Sequence, residues 1–272
     1  MHRGLRHFAA LICGTLALAL SMWAQKPKSQ KEAQAILAVQ TAKNLDERLQ
    51  AIENVLTKFA DTDYKVLLLQ MAVQVEEEKG DYAQTVFYAK RLLEADPKNA
   101  YALVNLAAET ARHTREFDLD KDEKLANADK WANEGIEAAK TMPKTRADVT
   151  DEQWEGARKD FQAQGYEALG MADMVRKNYP SAIENYKKAL ITGVSPQPAT
   201  LVRLAQAYAN GGKPDDAIFT LDKAINAADT PEQVKNVAQN MKQDIQKRRA
   251  AAAGAKPATP PTTPPAGDTK QP

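Results

Sequence analysis

The chain has 272 residues, enough for one large domain or two small ones, and carries 37 basic against 36 acidic side chains. A net charge of +1 lacks the basic excess a phosphate-binding surface needs, which argues against a nucleic-acid partner. The single cysteine, Cys13, excludes a disulfide framework, and nothing downstream of it can form a cysteine metal site.

In chain order, residues 1–24 read as an export leader. His2, Arg3, Arg6 and His7 are basic, and Phe8 to Leu20 is a run of apolar and small residues too short to span a bilayer. Cleavage after Ser21 or Ala24 frees the remainder, and an uncleaved leader would act as an anchor. Ile12 stands where a lipoprotein signal needs a small residue before Cys13, which argues against lipid attachment. The expectation is a periplasmic or secreted protein, and no later segment is apolar enough to span a membrane.

Residues 28–250 have few glycines and prolines, and those present punctuate helical periodicity. Ile36 and Val39, then Leu49, Ile52, Leu56 and Phe59, mark a first pair of helices over 28–60. Leu69, Ala72 and Val73 precede Gly80-Asp81-Tyr82, then Ala89, Leu92 and Asp96-Pro97, a second pair. Leu103, Leu106 and Ala107 open a third, whose second helix resumes at Ala128, Ala132 and Gly135 after a nine-residue insertion. Thr150-Asp151-Glu152-Gln153 is a helix start inside a longer insertion, so the next helix is expected to be extended. Tyr166, Leu169 and Gly170, then Ala182, Tyr186 and Ala189, form a fourth unit. Leu201, Leu204, Ala205 and Tyr208, the break Gly211-Gly212-Lys213-Pro214, and Ala217, Leu221 and Ala224 form a fifth, displaced by 35 residues. Thr230-Pro231-Glu232-Gln233 predicts a last helix with a threonine cap and an apolar stripe of Val234, Val237, Ala238, Met241 and Ile245. From 251 to 272 the chain is Ala, Pro, Thr and Gly with few charges, holds six of its 14 prolines and has no large apolar side chain, which predicts a disordered tail.

A repeat of this length resembles the tetratricopeptide repeat (TPR), W-x2-L-G-x2-Y then A-x3-F then P over about 34 residues. Tyr166-x2-Leu169-Gly170 with Ala182-x3-Tyr186 carries the resemblance, as do Leu201-x2-Leu204-Ala205-x2-Tyr208 with Ala217-x3-Leu221, and Gly80-Asp81-Tyr82 with Asp96-Pro97. Val73 and Thr85 depart from it, standing where the pattern has Gly and Ala. The resemblance implies an all-α solenoid of about five hairpins and a C-terminal capping helix, with a concave groove for a partner peptide or helix. By the same resemblance the groove positions are Gln70, Gln74, Tyr101, Asn105, Gln164, Met171, Met174, Arg203 and Gln206. Gln and Asn can pair with an extended backbone, and Met gives adaptable apolar contact. Chaperone-binding relatives clamp a C-terminal carboxylate with lysine, asparagine and arginine. Gln70 and Gln74 replace the first lysine and asparagine of that clamp, which argues against that ligand.

Catalytic groups are scarce. Past the leader, His113 is the sole histidine, and the serines are chiefly Ser29, Ser181 and Ser195. His113 reads as a solvated helix-end partner of Glu109. The stretch from Asp118 to Glu123 alternates carboxylates like a calcium loop, but has Glu123 where the loop needs Gly and Asp129 where it needs a bidentate Glu. No cofactor or metal is expected, and no enzyme. The leading expectation is a cell-envelope scaffold for a protein or peptide partner. A self-assembling homo-oligomer, and an enzyme or calcium binder using the insertions at 112–124 and 143–165, are the alternatives.

Overall fold

The computed structural model describes residues 26–144 and 148–254, and every regular element among them is an α-helix. The leader 1–24 lies outside the described residues, as does the tail beyond Gly254. In order the helices are α1 (Gln30–Thr41), α2 (Leu45–Lys58), α3 (Lys65–Lys79), α4 (Tyr82–Ala95), α5 (Ala100–His113), α6 (Lys121–Thr141), α7 (Asp151–Val175), α8 (Tyr179–Thr192), α9 (Pro198–Asn210), α10 (Pro214–Asn226) and α11 (Glu232–Gly254). Each successive pair packs as a hairpin, and the second helix of each hairpin packs on the first helix of the next. Five hairpins and a closing helix result.

Local chemistry sets the boundaries. Ser29, Asn44, Asp81, Asn99 and Thr150 each accept a backbone N–H from the first turn of the helix they precede. Thr150 and Gln153 form the reciprocal capping box, so the extension of the fourth hairpin's first helix begins where the sequence marks it. Three hairpin turns share one C-terminal motif. Asp81 N–H donates to Glu76 O at 3.0 Å, Asn178 N–H to Asp173 O at 2.9 Å, and Lys213 N–H to Tyr208 O at 2.8 Å. Its left-handed residue is Gly80 (φ 73°), Lys177 (φ 61°) and Gly212 (φ 75°) in turn. Lys177 carries no glycine signal, so this turn is silent in the sequence.

Positions one repeat apart do the same work. Ala182 and Ala217, Tyr186 and Leu221, and Ala189 and Ala224 are all buried. Thr85, in the alanine position of the second hairpin, is buried too and donates its hydroxyl to Asp81 O at 2.8 Å, which satisfies the added polar group. Close approach depends on missing side chains. A Cβ on Gly165 would stand 2.5 Å from Ile136 Cγ1 and 3.2 Å from the Ala132 carbonyl, so α7 reaches α6 only with glycine there.

The insertions become helix. The nine extra residues of the third hairpin lengthen α6 at its start and leave a loop at 114–120, where Asp118 accepts the Arg115 N–H and Lys124 pairs with Asp118 and Asp120. The first turns of α7 are pinned on both sides. Trp154 Nε1 and Arg158 Nε and Nη2 donate to the Met142 carbonyl at 3.2, 3.0 and 2.6 Å. Asp160 accepts the Val194 and Ser195 backbone N–H groups at 2.8 and 3.1 Å.

Three details of the last helix differ from the sequence reading. Val237 is 45% exposed, off the stripe that buries Ala238 and Ile245 against α10. Thr230 donates its hydroxyl to Ala224 O at 2.8 Å, fastening the end of α10 below the start of α11. The helix also continues past 250 to Gly254, consistent with the high helix propensity of Ala251-Ala252-Ala253.

Candidate binding pocket on the inner face

The first helices of hairpins two to five, α3, α5, α7 and α9, share one face. Of these, α5 and α7 pack directly on each other. A pocket of about 180 Å³ opens there. From α3 comes Glu77; from α5 come Val104, Asn105, Ala108, Glu109 and Arg112; from α7 come Gln164, Glu167 and Met171; and from α9 comes Arg203. Drug-sized ligands occupy pockets of roughly 300 Å³ and more, so this one is of a size for a side-chain head group.

Side-chain pairs knit the four helices together. Tyr101 Oη and Asn105 Nδ2 both donate to the Glu77 carboxylate at 2.5 Å, joining α5 to α3. Arg203 donates to Glu167 at 2.5 Å, joining α9 to α7. Arg112 and His113 both reach Glu109 along α5, the histidine at 3.4 Å. The His113 ring also stacks on Tyr82, centroids 4.1 Å apart, so this helix-end pair is braced by the neighbouring hairpin.

Glu77 keeps contact with water at the rim, yet protein surrounds it on the inner side. Desolvation therefore pushes its carboxyl above the usual range, against the pull of the Tyr101 and Asn105 hydrogen bonds. The Glu109 charge adds to the rise and the Arg112 charge opposes it, both more weakly. The Tyr101 hydroxyl is raised well above 10.0 by the same burial and by the adjoining Glu77 charge. Asn105 is 8% exposed, and its buried Oδ1 has no hydrogen-bond partner among the described residues.

Of the nine groove positions implied by the resemblance, Asn105, Gln164, Met171 and Arg203 line this pocket, and Tyr101 braces it from behind Glu77. Gln70 and Gln74 lie half-buried on α3 and Gln206 is exposed on α9, all outside the pocket walls. Met174 packs against the core of the fifth hairpin. The sequence reading missed the roles of Glu77, Arg112 and Glu167. A signal existed: Glu77 follows Gln70 by seven residues, and Glu167 follows Gln164 by three, spacings that share a helical face.

A larger concavity of about 490 Å³ lies between the end of α6, the start of α7 and the end of α8. Its walls are mostly exposed side chains, Lys140, Glu155, Lys159, Ile191 and Val194 among them, with no buried polar group turned inward. Among the described residues, no group of three or more His, Cys, Asp or Glu could hold a metal ion, and no helix is long and apolar enough to cross a membrane.

These elements define the class: an all-α solenoid of TPR-like hairpins with a polar pocket on the face shared by its first helices. No family model and no curated protein matches the chain. Among solved structures, a thermophilic TPR protein in Thermus thermophilus is similar over 82% of this chain and 98% of its own, at 16% identity and a TM-score of 0.49. The assembly chaperone of RpL4 (Acl4, residues 1–338) is similar over 85% of this chain and 100% of its own, at 11% identity and a TM-score of 0.39.

Proposed function

We propose that this protein is a non-catalytic scaffold of the cell envelope that holds an extended segment or helix of a partner protein along its inner face. One observation carries the reading: four consecutive first helices contribute polar side chains to a single pocket, and one buried acceptor in it, Asn105 Oδ1, has no partner among the described residues. An unsatisfied acceptor in the inner wall of a stacked repeat offers a place for a donor from outside. The export leader supplies the envelope part of the proposal.

A photo-crosslinking side chain at Gln164, exposed on the inner face, tests it against one at Phe219, exposed on α10. The expected result is a discrete adduct from Gln164 in envelope extract and none from Phe219. Equal labelling from both positions, or recovery of the protein only from the cytoplasmic fraction, would overturn the reading.

Self-assembly is a second reading, favoured by Phe117 and Leu119, which stand 87% and 107% exposed on the α5–α6 loop. Light scattering separates the two, because a monomer at every concentration removes this one.

A further inference from the structure

We propose that the inner pocket takes the cationic side chain of an arginine or lysine from the partner segment, held between the Glu77 carboxylate and the Asn105 amide oxygen. The inference rests on the groove reading above and specifies its ligand.

Charge complementarity is the first support. The pocket holds three carboxylates and two guanidinium groups. Both guanidiniums are already matched, Arg112 with Glu109 and Arg203 with Glu167. Glu77 is the carboxylate left over, and its hydrogen bonds come from the neutral donors Tyr101 and Asn105. Among the described residues, no cationic group stands within ion-pair distance of it. A carboxylate walled in by protein on its inner side, hydrogen-bonded by neutral donors and without a counter-charge, favours a bound cation.

Asn105 supplies the second, independent support. Its Nδ2 donates to Glu77, and turning the amide over would bring two oxygens together, so the orientation follows from the chemistry. That leaves Oδ1 buried in the pocket wall and, among the described residues, unpaired. A group that brings both donors and a positive charge suits the two residues together, which describes guanidinium and ammonium. An anion would meet the excess carboxylate. A neutral amide would satisfy Asn105 but leave Glu77 without a counter-charge. A bare divalent ion needs about six oxygen ligands, which these two residues cannot supply. Val104, Ala108 and Met171 offer apolar wall for the methylene stem of the incoming side chain.

The test uses the full chain and a displayed library of short random peptides, selected in parallel on the wild type and on Glu77→Gln. Wild-type binders are expected to share an arginine or lysine at one position. Replacing that residue by neutral citrulline should weaken binding about tenfold or more, the size of a lost charge-assisted hydrogen bond. Glu77→Gln should weaken the parent peptide similarly and the citrulline peptide little further. Should Glu77→Gln lose its helical melting transition, the Asn105 side-chain amide resonance of the wild type, expected to move on titration with the arginine peptide and not with citrulline, decides instead. Binders with no shared basic residue, or indifferent to Glu77→Gln, overturn the cation site. They leave the groove reading standing if they still compete with crosslinking at Gln164. A wild type that selects no peptide overturns both.

Discussion

A Cβ on Gly170 would stand 2.7 Å from Cε1 and 2.9 Å from Cζ of the Tyr186 ring, which is buried and has nowhere to move. Gly170→Ala is therefore expected to cost about 1–3 kcal/mol, as overpacking does, read as a shifted midpoint in chemical denaturation. Adding Tyr186→Leu should recover part of that loss, and strict additivity would contradict the contact. Glu77 behaves in the opposite sense. Because its carboxyl is raised, the folded chain holds a proton that the unfolded chain releases between 4.5 and the raised value. Stability from this group is thus full below 4.5 and falls as pH rises through that window. Glu77→Gln should accordingly stabilise the free protein at neutral pH, by less than about 1 kcal/mol since the carboxyl remains open to water, and make no difference in acid. Urea denaturation at the two pH values checks both halves of that statement. A residue that weakens the free fold in this way fits one retained for binding.

At the scale of elements, α7 is the organising piece. Its extension is fastened by Arg158 to the carbonyl end of α6 and by Asp160 to the strap that leads into α9. One carboxylate thus sets where the fifth hairpin begins. Asp160→Ala should leave the Val194 and Ser195 amides unpaired, raise their hydrogen exchange about tenfold or more, and cost about 1–2 kcal/mol. Exchange unchanged at those two amides would mean the strap is held by something else. Asp173 does the equivalent work within the hairpin. Buried at the end of α7, it accepts from Ser181 at 2.6 Å and Asn185 at 2.9 Å on α8, so polar pins and small-residue contacts together fix how this hairpin closes.

For the whole molecule, the core is a chain of clusters and not one globule. One cluster joins α1 to α5 and another α8 to α11, with smaller clusters between α5, α6 and α7. Met171 packs against three of the four, including the one that contains α9 and α10. In such an array each hairpin is stabilised chiefly by its neighbours, so damage at one end should stay near that end. Removing 232–254 uncovers the surface of α10 that Ala238 and Ile245 bury. Hydrogen exchange should then rise first in α9 and α10, while α3 and α4 keep their protection. A uniform loss along the chain would instead indicate a single cooperative unit.

Periodicity and punctuation were enough to read the architecture from the sequence. The five hairpins, the extended α7 and the closing helix follow from apolar spacing, from Thr150 with Gln153, and from Gly80, Gly212 and the prolines at helix starts. These are local instructions, acting within a few residues, and local chemistry can be read along a chain. The resemblance placed Asn105, Gln164, Met171 and Arg203 on the inner face, where they line the pocket. What tertiary packing decided was partnership. That Glu77 would lack a cation while Glu109 and Glu167 gain one depends on how far each hairpin is turned against the next. The Lys177 turn, inside the fourth hairpin, takes a glycine's conformation without a glycine to announce it. Rotation between hairpins is set by contacts such as Gly165 on Ile136, and closure within one by Gly170 on Tyr186; summed volumes across an interface determine both and no single helix encodes them.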